Sequence, residues 1–247
     1  MMDPFTTRLA RFCSTMPDGG TALGQLRIGQ IRHYASRTDI VREGDPPRAV
    51  RVIASGWVCR SKQLPDGRRQ MVALLLPGDV CDGHDQLEGM DHTISALTAV
   101  ALGEIDQAAY TAAVRADDPT GRALRWMASV DFAIQREWTL TVGRRDAREG
   151  LAHLFCELYH RLDAVGLVEA GGYAMPLTQL DLADVLGGTP VHVNRILMVL
   201  RQERLIVLRN RRLVVPDLGA LERAALFDPS YLHEHEVSAT NTRPAER

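Results

Sequence analysis

The segment 178–200, TQLDLADVLGGTPVHVNRILMVL, restricts the possible folds of this chain more than any other stretch. Thr178 and Asp181 are spaced as in a helix capping box, in which each side chain bonds the backbone N–H of the other residue. Gly187-Gly188 permits a sharp turn because glycine tolerates positive φ. Thr189-Pro190 then provides the N-cap and first residue of another helix. The segment therefore predicts two short helices joined by a tight turn.

The second helix is predicted to have one buried and one exposed face. Its buried face is a set of aliphatic residues spaced at i, i+3, i+4 and i+7, namely Val193, Ile196, Leu197 and Leu200. Val191, Arg195 and Met198 point away from that face at about 100° per residue. His192 and Asn194 lie on the flanks. This exposed face suits hydrogen bonding to base edges in a DNA major groove, and a helical hairpin with an ordinary polar face is the alternative.

A β-hairpin is predicted directly after these helices. The apolar runs 205–208 and 212–215 flank a tip formed by Arg209-Asn210-Arg211. A helix-turn-helix followed by such a hairpin is a winged helix, whose wing is positioned to contact phosphates. Six arginines and one acid lie within 195–212, although the whole chain has a net charge of −2. A local basic patch of this kind favours DNA binding, and a solvated charged face would explain part of it.

The N-terminal half is predicted to be β-rich. Short apolar runs at 50–52, 57–59 and 71–76 are separated by turns rich in Gly, Pro and Asp, which predicts a small antiparallel barrel or roll over 29–106. Residues 1–28 are expected to hold one or two helices.

A long helix is predicted over 117–145, because Asp117-Asp118-Pro119 is a helix start signal. A stripe with spacing of three to four residues follows it: Leu124, Met127, Ile134, Trp138 and Thr141. The stripe could pack on its own domain, but we favour a coiled-coil seam with a second copy of the chain. Asp131 would then be a polar seam position that fixes register.

The predicted architecture is α+β with four parts. A β-roll sensor domain covers 1–116, the linking helix covers 117–145, and a winged helix-turn-helix domain covers 146–227. The last of these includes helices over 151–165 and 218–227 and a loop at Gly171-Gly172. A polar tail covers 228–247, and it is expected to be disordered from His233 on.

Composition indicates a globular chain, with 45% hydrophobic and 24% charged residues. No apolar run approaches the ~20 residues of a membrane span, and the N-terminus lacks the core of a signal peptide. We therefore expect a cytoplasmic protein without a membrane partner. The four cysteines are far apart, so we expect free buried thiols and no metal or other cofactor.

Several motifs carry a resemblance to a known family. Within the predicted helices these are a small residue, a turn glycine and two core aliphatics, at Ala183, Gly187, Val193 and Ile196. Asn194-Arg195-Ile196-Leu197 is similar to a recognition-helix ending. The β-rich part adds Glu43-Gly44-Asp45, Ser55-Gly56 and Leu76-Pro77-Gly78-Asp79. With these motifs the chain resembles the Crp/Fnr family of bacterial transcription regulators from about Gly29 to Leu226.

This resemblance implies a cyclic-nucleotide-binding-like roll and a homodimer held through the 117–145 helix. Each winged helix would place a recognition helix in successive major grooves of a palindromic operator, with half-sites ~34 Å apart. RNA polymerase is an expected partner. The chain itself is not expected to be an enzyme. Arg195 would read guanine O6 and N7, alongside base-facing Val191, His192 and Asn194. Phosphates would be met by residues at helix N-termini and in the wing, namely Thr178, Gln179, Thr189, Arg209 and Arg211.

Two departures from the family pattern change the expected ligands. Many relatives carry a glutamate where this chain has Val191, and valine cannot accept from cytosine N4, so a different operator is expected. The region matching the family's phosphate-binding pair is acidic and has no arginine between Arg69 and Arg115. Cyclic AMP is therefore not expected, and the sensor ligand stays open.

The sequence is also compatible with two other functions. His84-Asp85 and Asp91-His92 place four potential ligands within nine residues and could form a metal-dependent hydrolase. Their turn-rich context gives no helical ligand spacing, which disfavours that chemistry. The winged helix could instead serve mainly as a protein-interaction module.

Overall fold

The structure, a computed structural model, describes residues 3–13, 26, 28–46, 48–83 and 88–233. Within these residues two antiparallel sheets are followed by a long helix and then by a helical part with a small third sheet. The predicted α+β class and the order of its parts are confirmed.

Among the described residues, the N-terminal roll has seven strands in two sheets. The strands are β1 Ile31–Tyr34, β2 Asp39–Val41, β3 Val50–Ser55, β4 Val58–Gln63, β5 Arg69–Leu75, β6 Thr93–Ala96 and β7 Val100–Ile105. One sheet has the order β1-β7-β3 and the other β2-β6-β4-β5, with antiparallel pairing throughout. Ile53, Ile94 and Leu102 are among the buried side chains between them. Gly56 turns β3 into β4 at φ +88°, where a Cβ would lie 2.4 Å from the Ala99 carbonyl oxygen.

Helices precede and follow the roll. They are α1 Pro4–Cys13, α2 Gln107–Arg115, α3 Pro119–Arg144, α4 Ala147–Asp163, α5 Gln179–Leu186, α6 Pro190–Gln202, α7 Leu218–Ala225 and a 3-10 helix at Pro229–Leu232. Three short strands complete the C-terminal part: β8 Gly172–Ala174, β9 Val207–Arg209 and β10 Arg212–Val214. Asp118 caps α3 by accepting a hydrogen bond from the Gly121 N–H at 2.7 Å. The long helix thus starts where its sequence signal lies.

The predicted coiled-coil seam of α3 is wrong. Leu124, Met127, Ile134 and Trp138 are buried against the roll and the helices of the same chain. Asp131 accepts a hydrogen bond from the Arg60 guanidinium at 2.8 Å, so its partner is also within the chain. A helical stripe predicts that a face is buried but not which molecule buries it.

Two smaller expectations are also corrected. Gly172, predicted in a loop, begins strand β8 and pairs with β10, and a Cβ there would lie 2.7 Å from the Leu213 carbonyl oxygen. The polar tail predicted from residue 228 starts later, because Leu232 is buried and the Tyr231 hydroxyl donates to Glu157 at 3.1 Å. Residues 234–247 lie outside the described residues.

One hydrophobic core crosses from the roll into the C-terminal part. It joins Trp57 and Leu74 of the roll to Trp138 of α3, Phe155 of α4 and Leu197 of α6. Three of the four predicted free thiols, Cys59, Cys81 and Cys156, are buried and unpaired as expected. The two halves of the chain therefore pack against each other.

We predict that His153 makes the fold sensitive to mild acid. Its ring is buried beside Phe227, with ring centroids 4.9 Å apart. Burial, together with the charge of Arg145, lowers the pKa of His153 to about 3. In the unfolded chain the imidazole takes up a proton below about pH 6.5, whereas the folded chain does so only near pH 3. The free energy of unfolding is therefore highest above about pH 6.5 and falls as the pH drops towards 3. By pH 5 the loss should reach about 2 kcal/mol.

The measurement is urea unfolding at pH 7 and pH 5. A His153→Gln variant should have a smaller pH dependence than the wild type. His33→Gln, at an exposed position on β1, is the control and should leave the dependence unchanged. If His153→Gln lost as much unfolding free energy between pH 7 and pH 5 as the wild type, this assignment would be contradicted.

Candidate nucleic-acid interface

Local capping contacts build the two helices of the candidate interface. The Thr178 hydroxyl accepts from the Asp181 N–H at 3.1 Å, and Asp181 accepts from the Thr178 N–H at 2.7 Å. Gly187 ends α5 in the left-handed region at φ +66°. Thr189 caps α6 by accepting from the His192 N–H at 3.3 Å, with Pro190 at the first helical position. The predicted caps and turn are confirmed.

The two faces of α6 are also as predicted. The four aliphatic residues of its inner face are 0–6% exposed: Val193, Ile196, Leu197 and Leu200. Its outer face is exposed along its whole length and carries Val191, His192, Asn194, Arg195 and Met198. Val191 is 65% exposed near the N-terminus of the helix. This face is available to a partner.

A three-stranded sheet in the order β8-β10-β9 forms the wing. Its tip is a two-residue turn, Asn210-Arg211, with both residues in the left-handed region at φ 50° and 55°. That geometry matches the twist of the flanking strands and is tolerated best by Gly, Asn and Asp, so Arg211 is an unusual occupant. Arg209 is the last residue of β9, and both arginines are exposed.

The candidate interface carries uncompensated positive charge. Within the part of the chain that the structure describes, Arg195, Arg209 and Arg211 have no acidic partner. The single acid of the segment, Glu203, accepts from Arg148 at 2.5 Å and is thereby neutralised. Anions approaching α6 and the wing therefore meet guanidinium groups that are free to bind them.

The helix N-termini add polar groups to the same surface. Thr178, Gln179 and Thr189 are exposed where α5 and α6 begin, and backbone N–H groups at such positions attract phosphate. The Gln179 amide donates to the Asn194 side-chain oxygen at 3.1 Å and so connects the two helices. Sequence analysis missed this contact, because nothing local relates residues fifteen positions apart.

The roll and α3 line a second feature, a partly open cavity of about 650 Å³. It is less acidic than the sequence suggested, because basic residues reach it from α1, β4 and α4: Arg8, Arg60, Lys62 and Arg161. Each of these is paired with a carboxylate, for example Arg60 with Asp131 at 2.8 Å and Arg161 with Asp79 at 2.7 Å. An anionic ligand would have to compete with these carboxylates for the same cations.

The residues proposed for a hydrolytic centre are only partly described. His84 and Asp85 lie outside the described residues. The His92 ring contacts the Asp91 carboxylate at 2.6 Å, and no group of three or more potential metal ligands occurs among the residues that the structure covers.

A winged helix-turn-helix with exposed arginines, joined through a long helix to a β-roll domain, defines a DNA-binding regulator. Residues 31–117 match the cyclic nucleotide-binding domain family, and residues 150–224 match the Crp-like helix-turn-helix domain family. The chain belongs to the Crp/Fnr family and is a transcription regulator, not an enzyme. The hydrolase alternative is therefore wrong.

Known proteins resemble most of the chain. It is 29% identical over 199 residues to the transcriptional activator protein FnrL of Cereibacter sphaeroides, covering 79% of this chain and 80% of that one. Identity to the nitrogen fixation regulation protein FixK of Azorhizobium caulinodans is 27% over 197 residues, 79% of each chain. The structure of FixK2 from Bradyrhizobium japonicum superposes with a TM-score of 0.71 at 26% identity, covering 80% of this chain and 98% of that one.

None of the described helices combines the length and the apolar character needed to cross a bilayer.

Proposed function

We propose that the chain acts as a cytoplasmic homodimer that reads a palindromic operator and regulates transcription beside a promoter. The observation that carries the proposal is the exposed outer face of α6, on which Arg195 has no acidic partner among the described residues. A guanidinium in that position can donate two parallel hydrogen bonds to guanine O6 and N7. RNA polymerase is the protein partner that this role requires.

The outer face of α3 supports a dimer. Its exposed residues recur at the alternating four- and three-residue spacing of a heptad, and we call them the α3 outer stripe: Arg125, Ser129, Phe132, Arg136, Thr139 and Gly143. Phe132 is 66% exposed at the centre of this stripe, with Ala128 and Leu140 beside it. A fully solvated helix face does not need an aromatic residue there, whereas a second copy of α3 would bury it.

The remaining interface residues divide into two roles. Val191, His192 and Asn194 share the base-facing side of α6 with Arg195, and Val191 offers an apolar contact to a thymine methyl group. The phosphate contacts would come from helix N-termini and the wing, through Thr178, Gln179, Thr189, Arg209 and Arg211. Together these contacts would fix one half-site per protomer.

The sensor ligand is proposed not to be cyclic AMP. A cyclic phosphate would have to compete with carboxylates in the cavity, because Arg60 and Arg161 already form ion pairs there.

We predict that Arg195→Ala weakens binding to the operator by about 1–3 kcal/mol and leaves weak binding to random DNA nearly unchanged. Electrophoretic mobility shifts at several salt concentrations measure both affinities. Arg68→Ala removes the same charge from an exposed turn of the sensor and is the control. Equal losses on operator and random DNA would contradict base reading by Arg195. If the wild type bound no genomic fragment specifically, the winged helix would instead be a protein-interaction module.

We predict that Val191 changes the operator sequence. Selection of genomic fragments with the purified chain should yield a half-site that differs, at the base pair facing residue 191, from the half-sites of relatives with glutamate there. A Val191→Glu variant should shift the preference at that base pair towards cytosine, whose N4 would donate to the new carboxylate. Identical half-sites for this chain and those relatives would rule out the proposed role of Val191.

We predict that Phe132→Glu converts the dimer into monomers. Two carboxylates facing each other across paired α3 helices would be desolvated without a partner. Analytical ultracentrifugation measures the mass directly. Leu64→Glu places the same substitution on an exposed apolar residue of the sensor, 51% exposed, and should remain dimeric. A dimeric Phe132→Glu variant would exclude the α3 outer stripe as the interface.

A further inference from the structure

The first helix of the helix-turn-helix is bonded to the sensor domain of its own chain. Arg37, in the turn between β1 and β2, donates through both terminal nitrogens to Asp181 of α5. The two distances are 2.6 Å to Oδ1 and 2.7 Å to Oδ2. Such a planar, two-bond contact fixes the orientation of the carboxylate as well as its distance.

A second contact lies one helical turn further along α5. The Gln70 amide on β5 donates to the Val185 carbonyl oxygen at 2.9 Å, near the C-terminal end of the helix. Arg69 of β5 lies 3.9 Å from the Asp184 carboxylate of α5 and adds a further attraction between the strand and the helix. We call the set Arg37, Gln70, Asp181 and Val185 the α5 clamp. Because its contacts hold both ends of α5, they restrict rotation of the helix as well as translation.

Asp181 is rigidly attached to the helix that it holds. Its side chain is 4% exposed and also accepts from the Thr178 N–H and hydroxyl, both at 2.7 Å. Burial pushes the pKa of Asp181 up, but the hydrogen bonds from Arg37 and Thr178 outweigh it and leave the pKa below its ordinary value. The carboxylate therefore stays charged near neutral pH, and the clamp stays closed there.

The clamp leaves the recognition surface open. With α5 bonded to the sensor, Val191, His192 and Arg195 on the outer face of α6 remain exposed, as do Gln179 and Thr189 at the helix N-termini. A contact that inhibited the protein by masking would cover these side chains. The observed arrangement instead holds the recognition helix in place while it faces solvent.

From these contacts we infer that Arg37, although it belongs to the sensor domain, is a positioning residue for operator recognition that acts through Asp181. The inference rests on the proposed homodimer on a palindrome. In such a dimer the distance and angle between two recognition helices depend on where each helix-turn-helix is held on its own protomer. A fixed orientation removes the entropy cost of bringing both helices to the half-site spacing.

The experiment compares DNA duplexes that differ only in half-site spacing. They carry the selected operator, the operator lengthened by one or two base pairs between half-sites, and a single half-site. The wild type should prefer the natural spacing strongly. Arg37→Gln should reduce this preference by about tenfold, a loss typical of coupling between contacting residues, and leave single-half-site affinity unchanged. Arg37→Lys keeps the charge without the planar fork and should retain part of the preference.

Two further variants separate positioning from other effects. Arg42→Gln removes the same charge from an exposed sensor arginine that pairs with Asp39, and should keep the wild-type preference. Gln70→Ala breaks the other end of the clamp without changing charge and should reduce the preference as Arg37→Gln does. Hydrogen exchange of α5 amides should become faster in both clamp variants.

Three results would overturn the inference. Arg37→Gln could behave as Arg42→Gln does, which would give the clamp no role in spacing. Tighter operator binding by Arg37→Gln would make the clamp inhibitory. A wild type without any spacing preference would refute the proposed palindrome reading itself, and that failure is visible before any Arg37 variant is tested.

Discussion

The arrangement of the two halves depends on the ion pairs and hydrogen bonds of the buried Arg161 guanidinium. It donates to Glu157 at 2.9 Å within α4, and to Asp79 at 2.7 Å and the Leu74 carbonyl oxygen at 2.9 Å in the roll. Glu157 is fully buried, and burial raises its pKa, while hydrogen bonds from Arg161, Trp138 and Tyr231 oppose that rise. Removing Arg161 would leave the buried carboxylate of Glu157 without its cation, so this guanidinium both satisfies α4 and joins α4 to the roll.

Two ion pairs that line the cavity also hold the helices that follow the roll. Arg60 with Asp131 and Arg161 with Asp79 all line the cavity, and they tie the roll to α3 and α4 respectively. A molecule entering the cavity would therefore contact the groups that hold these helices. Any change in the ion pairs would alter how the roll packs against α3 and α4.

Local patterns predicted most of the fold and the composition of the candidate interface. The Thr178 and Thr189 caps, the Gly187 turn and the buried face of α6 depend on residues within seven positions of one another, and all are confirmed. The errors concern distant partners. The Leu124 stripe packs inside the chain rather than against a second copy, and Arg37 meets Asp181 from 144 positions away. No spacing rule in the sequence relates such residues, because the tertiary fold alone brings them together.

Asp181 makes one contact that the sequence predicts and one that only the tertiary fold creates. As the third residue of α5 it completes a capping box that the sequence predicts, and this contact starts the helix. Its remaining hydrogen-bonding capacity is used by Arg37, which the sequence does not reveal. Under the proposed function, α6 determines locally which bases are read, whereas the orientation of α6 depends on the contact of Asp181 with Arg37 of the roll. The proposal therefore implies that a substitution in the roll, such as one at Arg37, alters DNA recognition without changing α6.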